Sequence, residues 1–411
     1  MNTARILAYG ALGLPLAFAA LPIYVHVPRL YAESAGLALG LLGGILLAAR
    51  LLDALIDPVL GWLADRLPKR LLILLALPPL ALGFVLLLHP SAEAPVFGLL
   101  VALLLTYLGY SAATIAYQAW GADLGPVPEV RTRLVAAREG MGLLGVVLAA
   151  ALPAMLGATL AEGLARLAWG FLPLLLIAAL CTLWGSGQTA TSLRPTRAAS
   201  TLPMWPAVRA ALADAAFRRL LGIFIFNGIA AALPATLVLF FVADVLGAEA
   251  YGGAFLALYF IAGVVGLPLW VRLAAAWGRE RAWLLGMALA GAAFVWAFGL
   301  GSGDLLGFAL VCALTGLALG ADLALPAAMA ADIGERLGLP GAVFGVWNFV
   351  AKLNLALAAG LALPLLGGLG YEPGSSDTAA LSAVYALLPL AFKAVAAALL
   401  WPRATLSEKF A

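Results

Sequence analysis

Three ionisable residues, Arg50, Asp53 and Asp57, follow one another at intervals of three and four positions within an apolar stretch. In a helix, this spacing places all three side chains on one face. Two carboxylates on adjacent turns offer oxygen ligands to a hard cation such as Na⁺, and a close pair of acids also suits H⁺. The alternative is an Arg–Asp clamp that only joins helices, but a clamp does not need the second acid. The spacing therefore favours a cation site.

A second polar group occurs late in the chain, where Asn348 and Lys352 stand one helical turn apart in another apolar run. An ammonium group in apolar surroundings must find an anion. Its candidate partners are an acid of the first group, an anionic substrate, or Asp322. We expect Lys352 to meet Asp53 and Asp57 in one wet chamber.

Other polar residues in apolar runs are weaker signals. Thr114 and Gln118 lie one turn apart and suit a cavity lining, although helix-packing hydrogen bonds explain such residues as often. Lys393 also lies within an apolar run, and the surrounding sequence indicates no role for it. No grouping of His, Asp or Ser has catalytic spacing, so we expect neither an enzyme nor a cofactor.

The composition defines the environment that must hold these charges. The chain has 411 residues, of which 65% are hydrophobic and 10% charged. A soluble domain carries about 25% charged residues, so lipid must cover most of this surface. The net charge is only +3, and the charged residues are scattered along the chain. This excludes a nucleic-acid partner.

Apolar windows long enough to cross a bilayer predict an all-α membrane protein with twelve transmembrane helices in two bundles of six. We expect a bundle over 1–184, a cytoplasmic linker over 185–218, and a second bundle with a short tail over 219–411. The windows lie at about 5–27, 37–63, 71–89, 97–120, 138–158, 166–184, 219–243, 251–272, 282–302, 304–328, 341–368 and 379–401. The end of the linker is either an amphipathic helix on the membrane surface or a solvated connector.

The basic residues predict the orientation in the membrane. Of the 23 Lys and Arg residues, 18 fall on one side of the predicted spans, two on the other and three within spans. Because basic residues concentrate on the cytoplasmic side, both termini are predicted to be cytoplasmic.

The turn after the second span contains Gly61, Asp65 and Arg66. Positive-inside flanking explains the arginine, but it explains neither the glycine nor the acid. We interpret the three as a conformational latch at the cytoplasmic interface.

These residues also carry a resemblance to a known protein family. The Gly61-x-x-x-Asp65-Arg66 turn resembles the loop signature of the major facilitator superfamily. The string AARLLDALIDPVLGWLADR, residues 48–66, resembles the glycoside–pentoside–hexuronide:cation symporters, which include the melibiose permeases. The stretches RTRLVAAREGMGLLG, 131–145, and FGVWNFVAKLNLALAAGLALPLLGGLGY, 344–371, agree with it.

The resemblance implies roles for individual residues. Asp53 and Asp57 match the two cation-site acids of the family, and Lys352 matches the lysine that couples the cation and substrate sites. Arg138 matches an arginine near the substrate. The family's sugar-binding acids are absent, because Ala17 and Thr114 stand in their places.

These observations predict a monomeric bacterial inner-membrane transporter, driven by Na⁺ or H⁺, that moves a small solute by alternating access. The resemblance implies that the solute is of the sugar or glycoside class. The candidate coupling and substrate residues are Arg50, Thr114, Gln118, Arg138, Asn348 and Lys352. One alternative is a lysolipid or other amphiphile carrier or flippase of the same fold. A second is a non-transporting membrane sensor or scaffold.

Overall fold

The computed structural model describes residues 1–35, 37–91, 93–186, 202–371 and 378–406. These ranges form fifteen α-helices and contain no strand. The helices are α1 (Thr3–Gly10), α2 (Gly13–Val25), α3 (Val27–Ala35), α4 (Leu39–Arg66), α5 (Lys69–Leu87), α6 (Pro95–Leu124), α7 (Pro128–Leu156), α8 (Leu160–Gly185), α9 (Met204–Ala213), α10 (Ala215–Phe240), α11 (Gly252–Trp277), α12 (Arg279–Phe298), α13 (Leu305–Leu337), α14 (Pro340–Gly368) and α15 (Ala379–Leu406).

Local sequence signals set several helix ends. Asp214 accepts a hydrogen bond at 2.9 Å from the backbone N–H of Phe217 and caps α10, while Thr159 caps α8 through Glu162 N–H at 3.3 Å. Pro95 and Pro128 stand in the first turns of α6 and α7, where a missing N–H costs no helical hydrogen bond.

Eleven helical segments in the described ranges are long and apolar enough to cross a membrane. The first of them joins α1 and α2, over Thr3–Ile23. Helix α4 is not among the eleven, although it has 28 residues. It carries Arg50, Asp53 and Asp57 in its middle, and counting it gives the predicted twelve.

The chain packs into two units. The first comprises Met1–Leu212 together with Ala330–Phe349, and the second comprises Ala213–Met329 together with Val350–Ala411. The end of α13 and the start of α14 thus belong to the first unit, a feature that the predicted division does not contain. The boundaries at 184/185 and 218/219 stay a prediction.

Each unit has an aromatic core. In the first unit, Phe84 packs on Phe171 with ring centroids 4.4 Å apart, and Phe18 stacks on Phe171 at 6.0 Å. In the second unit, Phe241 stacks on Tyr385 at 4.2 Å. Phe241 begins a five-residue π-helix that extends α10 to Val245.

The linker is described in part. Residues 187–201 lie outside the described residues, as does the tail from residue 407. The end of the linker forms α9, whose Ala207 is buried against Leu339 and Ala342. One face of this helix therefore packs on protein, and its contact with lipid stays a prediction.

Candidate cation and substrate site

The two predicted cation-site acids lie on α4 and are shielded from solvent. Asp57 is 0% exposed and Asp53 is 5% exposed. Arg50 lies one turn before Asp53 on the same helix and is partly buried. The hydroxyl of Ser111 on α6 donates a hydrogen bond to Oδ1 of Asp53 at 2.6 Å. Two carboxylates and a hydroxyl within one unit form an oxygen-rich group of the kind that hard cations prefer.

A cleft of about 330 Å³ between α4 and α6 reaches Asp53. Its walls are otherwise apolar or aromatic, with Leu52 and Leu104 half-exposed and Tyr107 buried. Sites for small ligands begin at about this size and combine apolar walls with few polar groups. The cleft therefore provides room beside one of the acids.

Helix α4 crosses the start of α14 at very close range. A Cβ on Gly61 would clash with the backbone carbonyl of Gly341 and would lie 2.9 Å from the Cα of Gly345. A Cβ on Gly345 would lie 2.7 Å from the backbone carbonyl oxygen of Asp57. The pattern Gly341-x-x-x-Gly345 is the small-residue spacing that lets membrane helices approach backbone to backbone. The crossing thus lies directly beside the Asp57 turn.

Asp65 completes the crossing as a cap on another helix. Its Oδ1 accepts from Gly341 N–H at 2.6 Å, and its Oδ2 accepts from Ala342 N–H at 2.8 Å. These amides belong to the first turn of α14, where the N–H groups have no partner within the helix. A carboxylate there is also favoured by the helix dipole. The structure therefore brings the predicted latch residues Gly61 and Asp65 to one contact.

Arg66 lies at the same end of α4. Its guanidinium donates to the Leu202 carbonyl at 2.8 Å and lies 4.3 Å from the ring centroid of Trp62. Trp62 donates its indole N–H to the same carbonyl at 3.1 Å. The third predicted latch residue thus holds the segment that precedes α9.

Two further basic residues form ion pairs in the first unit. Arg131 on α7 lies 2.8 Å from Asp332 and 3.3 Å from Glu335 at the end of α13. Lys69 on α5 lies 2.8 Å from Asp123 on α6. These acids could not be assigned a role from the sequence, because their partners are distant along the chain.

Two of the predicted substrate residues meet directly. The amide of Asn348 donates to Oε1 of Gln118 at 2.5 Å and to its own helix at the Phe344 carbonyl. Thr114 lies one turn from Gln118 on α6, and its hydroxyl is buried with no hydrogen-bond partner in the described part of the chain. The hydroxyl therefore retains a hydrogen bond that a ligand in contact with it can accept.

Arg138 lies on α7 and is buried. Its guanidinium forms an ion pair with Glu139, and Nη1 has no hydrogen-bond partner within the described ranges. Tyr9 and Tyr117 bond to each other's backbone carbonyls nearby, with ring centroids 4.6 Å apart. Arg138 was predicted from the sequence, whereas its pairing with Glu139 and the contact between the two tyrosines were not.

Lys352 lies on α14 within the second unit, and the acids of α4 lie within the first. Their predicted convergence stays a prediction. Asp322, a candidate partner of Lys352, is paired instead with Lys393, whose Nζ lies 2.9 Å from Oδ2 of Asp322. Lys393 thus has a partner that its sequence context did not reveal.

The family profile described as MFS/sugar transport protein matches residues 6–403, nearly the whole chain. The chain belongs to this family. The match confirms the resemblance to the glycoside–pentoside–hexuronide:cation symporters of the major facilitator superfamily. The protein is a multi-pass membrane transporter and not an enzyme.

Solved structures confirm the major facilitator fold. A bacterial homologue of the iron transporter ferroportin, in an outward-facing state, superimposes with a TM-score of 0.74 at 16% identity, covering 98% of this chain and 99% of that chain. The E. coli fucose:proton symporter gives 0.68 at 15% identity, covering 96% and 98%. The human organic anion transporter MFSD10 gives 0.70 at 19% identity, covering 96% and 100%.

Proposed function

We propose that this secondary transporter couples the inward gradient of Na⁺ or H⁺ to uptake of a small solute of the sugar or glycoside class. The observation that carries the proposal is the buried acid pair, Asp53 and Asp57, on a helix that also forms a glycine-lined crossing. A carboxylate inside a membrane-spanning helix is costly to bury, so such groups persist where an ion or proton uses them.

In the proposed mechanism, Asp57 couples the ion to movement. Its backbone carbonyl contacts the Gly345 turn, and Gly61 lies one turn further along α4. A cation drawn to the Asp57 carboxylate therefore acts on the turn that packs against α14. Lys352 lies on α14, seven residues beyond Gly345. This spacing places the two residues on one face of α14. In this mechanism, Lys352 interacts with both the ion and the solute.

Coupling then follows from differential affinity, because a ligand shifts an equilibrium only by its preference for one state. The crossing with its Asp65 cap is the element that opens and closes. The polar groups for the solute lie in the same unit as the acids. They belong to Thr114, Gln118, Arg138 and Asn348.

The family description supports the sugar class, since it names sugar transport. The test is uptake into proteoliposomes of a panel of sugars and glycosides under an imposed Na⁺ or pH gradient. Gradient-dependent uptake of a panel member supports the proposal. The absence of flux for every solute under either gradient contradicts it and favours a sensor or scaffold.

The cleft between α4 and α6 favours one second candidate, a carrier of lysolipid or another amphiphile. Its leucine walls suit an acyl chain, and Asp53 suits a cationic headgroup. Thermal stabilisation of the purified protein by lysolipids, with none by sugars, would favour this candidate over the first.

The Ser111 hydroxyl provides a graded test of the cation site. Ser111→Ala removes the donor that orients Asp53, so we expect the half-saturating cation concentration to rise about 10-fold. Ser111→Thr keeps a hydroxyl, so its half-saturating cation concentration should stay close to that of the parent protein. A cation titration of the unfolding midpoint measures both.

A buried hydroxyl on the same helix gives the matched control. Thr106 donates to its own helix at the Ala102 carbonyl, at 2.6 Å, and has no bond to either acid. Thr106→Ala should leave the cation dependence unchanged. Equal shifts in Ser111→Ala and Thr106→Ala would assign the effect to general loosening of α6 instead of the cation site.

A further inference from the structure

Lys393 and Asp322 form a buried ion pair in the second unit that the proposed coupling mechanism does not use. Lys393 lies on α15 and is 3% exposed. Its ammonium lies 2.9 Å from Oδ2 of Asp322 on α13 and 2.8 Å from Oδ1 of Asn227 on α10. Three helices that are distant in sequence therefore meet at one positive charge.

The carboxylate of Asp322 is fully engaged. Its Oδ1 accepts from the indole N–H of Trp283 on α12 at 2.8 Å, and its Oδ2 accepts from Lys393. Trp283 is 0% exposed and Asn227 is 2% exposed. With two donors on one carboxylate and two oxygens on one ammonium, this cluster is well satisfied.

The arrangement of oxygens resembles a site for a monovalent cation. One carboxylate oxygen and one amide oxygen converge on a single point, and such neutral and charged oxygen donors are what a hard cation prefers. In the first unit, Asp53 and Asp57 are buried carboxylates on one helix. In the second unit, the buried carboxylate of Asp322 is balanced by an ammonium that is covalently part of α15.

We infer that the Lys393 ammonium is a built-in cation, which permanently fills a monovalent-cation site formed by Asp322 and Asn227. The second unit is then electrically balanced at this cluster without an ion from solution. The coupling ion is accordingly confined to the first unit. Removal of the ammonium leaves a carboxylate that binds Na⁺, Li⁺ or a proton from solution.

A proton relay is the competing role for a buried acid–base pair. A relay must release its partner in one state, whereas here the indole and the ammonium hold both oxygens of the carboxylate. The two roles differ in their requirement for charge. A built-in cation needs only charge balance, and a relay needs both ionisable groups.

The experiment measures thermal unfolding of the purified full-length protein in detergent, so it needs no knowledge of the solute. The variants are Lys393→Met, Asp322→Asn and the double variant, all in an Asp53→Asn/Asp57→Asn background that removes both candidate cation-site acids of the first unit. Each single variant leaves one buried group uncompensated, and we expect its midpoint to fall by about 5–10 °C. The double variant should recover most of that loss.

A cation titration then tests the vacated site. The Lys393→Met variant should gain an upward shift of its midpoint with Na⁺ or Li⁺, or with falling pH. The shift should be absent in the background and in the double variant. Asp304→Asn is the matched acid control, because Asp304 caps the Gly301 N–H outside the cluster.

Three results overturn the inference. They are an unchanged midpoint in Lys393→Met, a double variant as unstable as the single variants, and no cation or pH response after loss of the ammonium. If single variants cannot be purified, recovery of a folded double variant supports the inference, and its failure to fold overturns it. Loss of the proposed coupling at Asp57 would leave these results unaffected.

Discussion

Asp57→Asn is expected to reduce cation-stimulated uptake by about 100-fold while the protein still reaches the membrane. The substitution keeps the shape of the side chain but removes its negative charge. A buried carboxylate ligand contributes through charge, and the loss of one charged hydrogen-bonding group costs about 1.5–3 kcal/mol. Asp53→Asn should also reduce cation-stimulated uptake, because both acids lie on the same buried face of α4.

The measurement is initial uptake into proteoliposomes with and without the cation gradient. Asp304→Asn is the control, since its side chain caps a loop amide and an asparagine oxygen still accepts that bond. The control should transport like the parent. Cation-stimulated uptake that persists in both Asp53→Asn and Asp57→Asn would exclude the acid pair as the coupling site.

Gly61→Leu is expected to lower transport about 10–100-fold by forcing α4 away from α14. A Cβ at this position would clash with the Gly341 carbonyl, and backbone atoms cannot move aside as a flexible side chain does. Overpacking of a tight contact costs about 1–3 kcal/mol, enough to shift a two-state equilibrium by that factor.

Hydrogen exchange measures the crossing itself. The amides of Gly341 and Ala342 are bonded to Asp65, so a weakened crossing should speed their exchange. Gly44→Leu on α4 and Gly360→Leu on α14 are matched controls, because a Cβ at either glycine meets nothing within 4 Å. Normal transport and unchanged exchange in Gly61→Leu would show that the close approach has no part in the cycle.

The helices could be predicted from the sequence because each bilayer crossing requires about 20 apolar residues. The shared face of Asp53 and Asp57 follows from their spacing alone, and the structure places both on α4. Gly61 and Asp65 were assigned to a latch because positive-inside flanking does not explain a glycine and an acid at this turn. Their contacts could not be identified from the sequence, because Gly341 and Ala342 lie more than 270 positions away.

The remaining interactions depend on packing that no local pattern reveals. Ser111 is an ordinary small residue of a membrane helix until its hydroxyl is placed 2.6 Å from Asp53. The Gly341-x-x-x-Gly345 spacing was present in the sequence, and a search for small residues at intervals of four would have found it. Lys393 had no visible partner because Asp322 lies on another helix, 71 residues earlier.

Gradient-driven uptake by the purified protein tests the central claim, that a cation at Asp53 and Asp57 drives solute movement, more directly than any other measurement. Proteoliposomes are loaded with a sugar from the panel, and the Na⁺ or pH gradient is imposed first inward and then outward. We expect net solute flux to follow the cation gradient and reverse with it, and to vanish in Asp57→Asn. Solute flux that ignores the direction of both gradients would contradict the account.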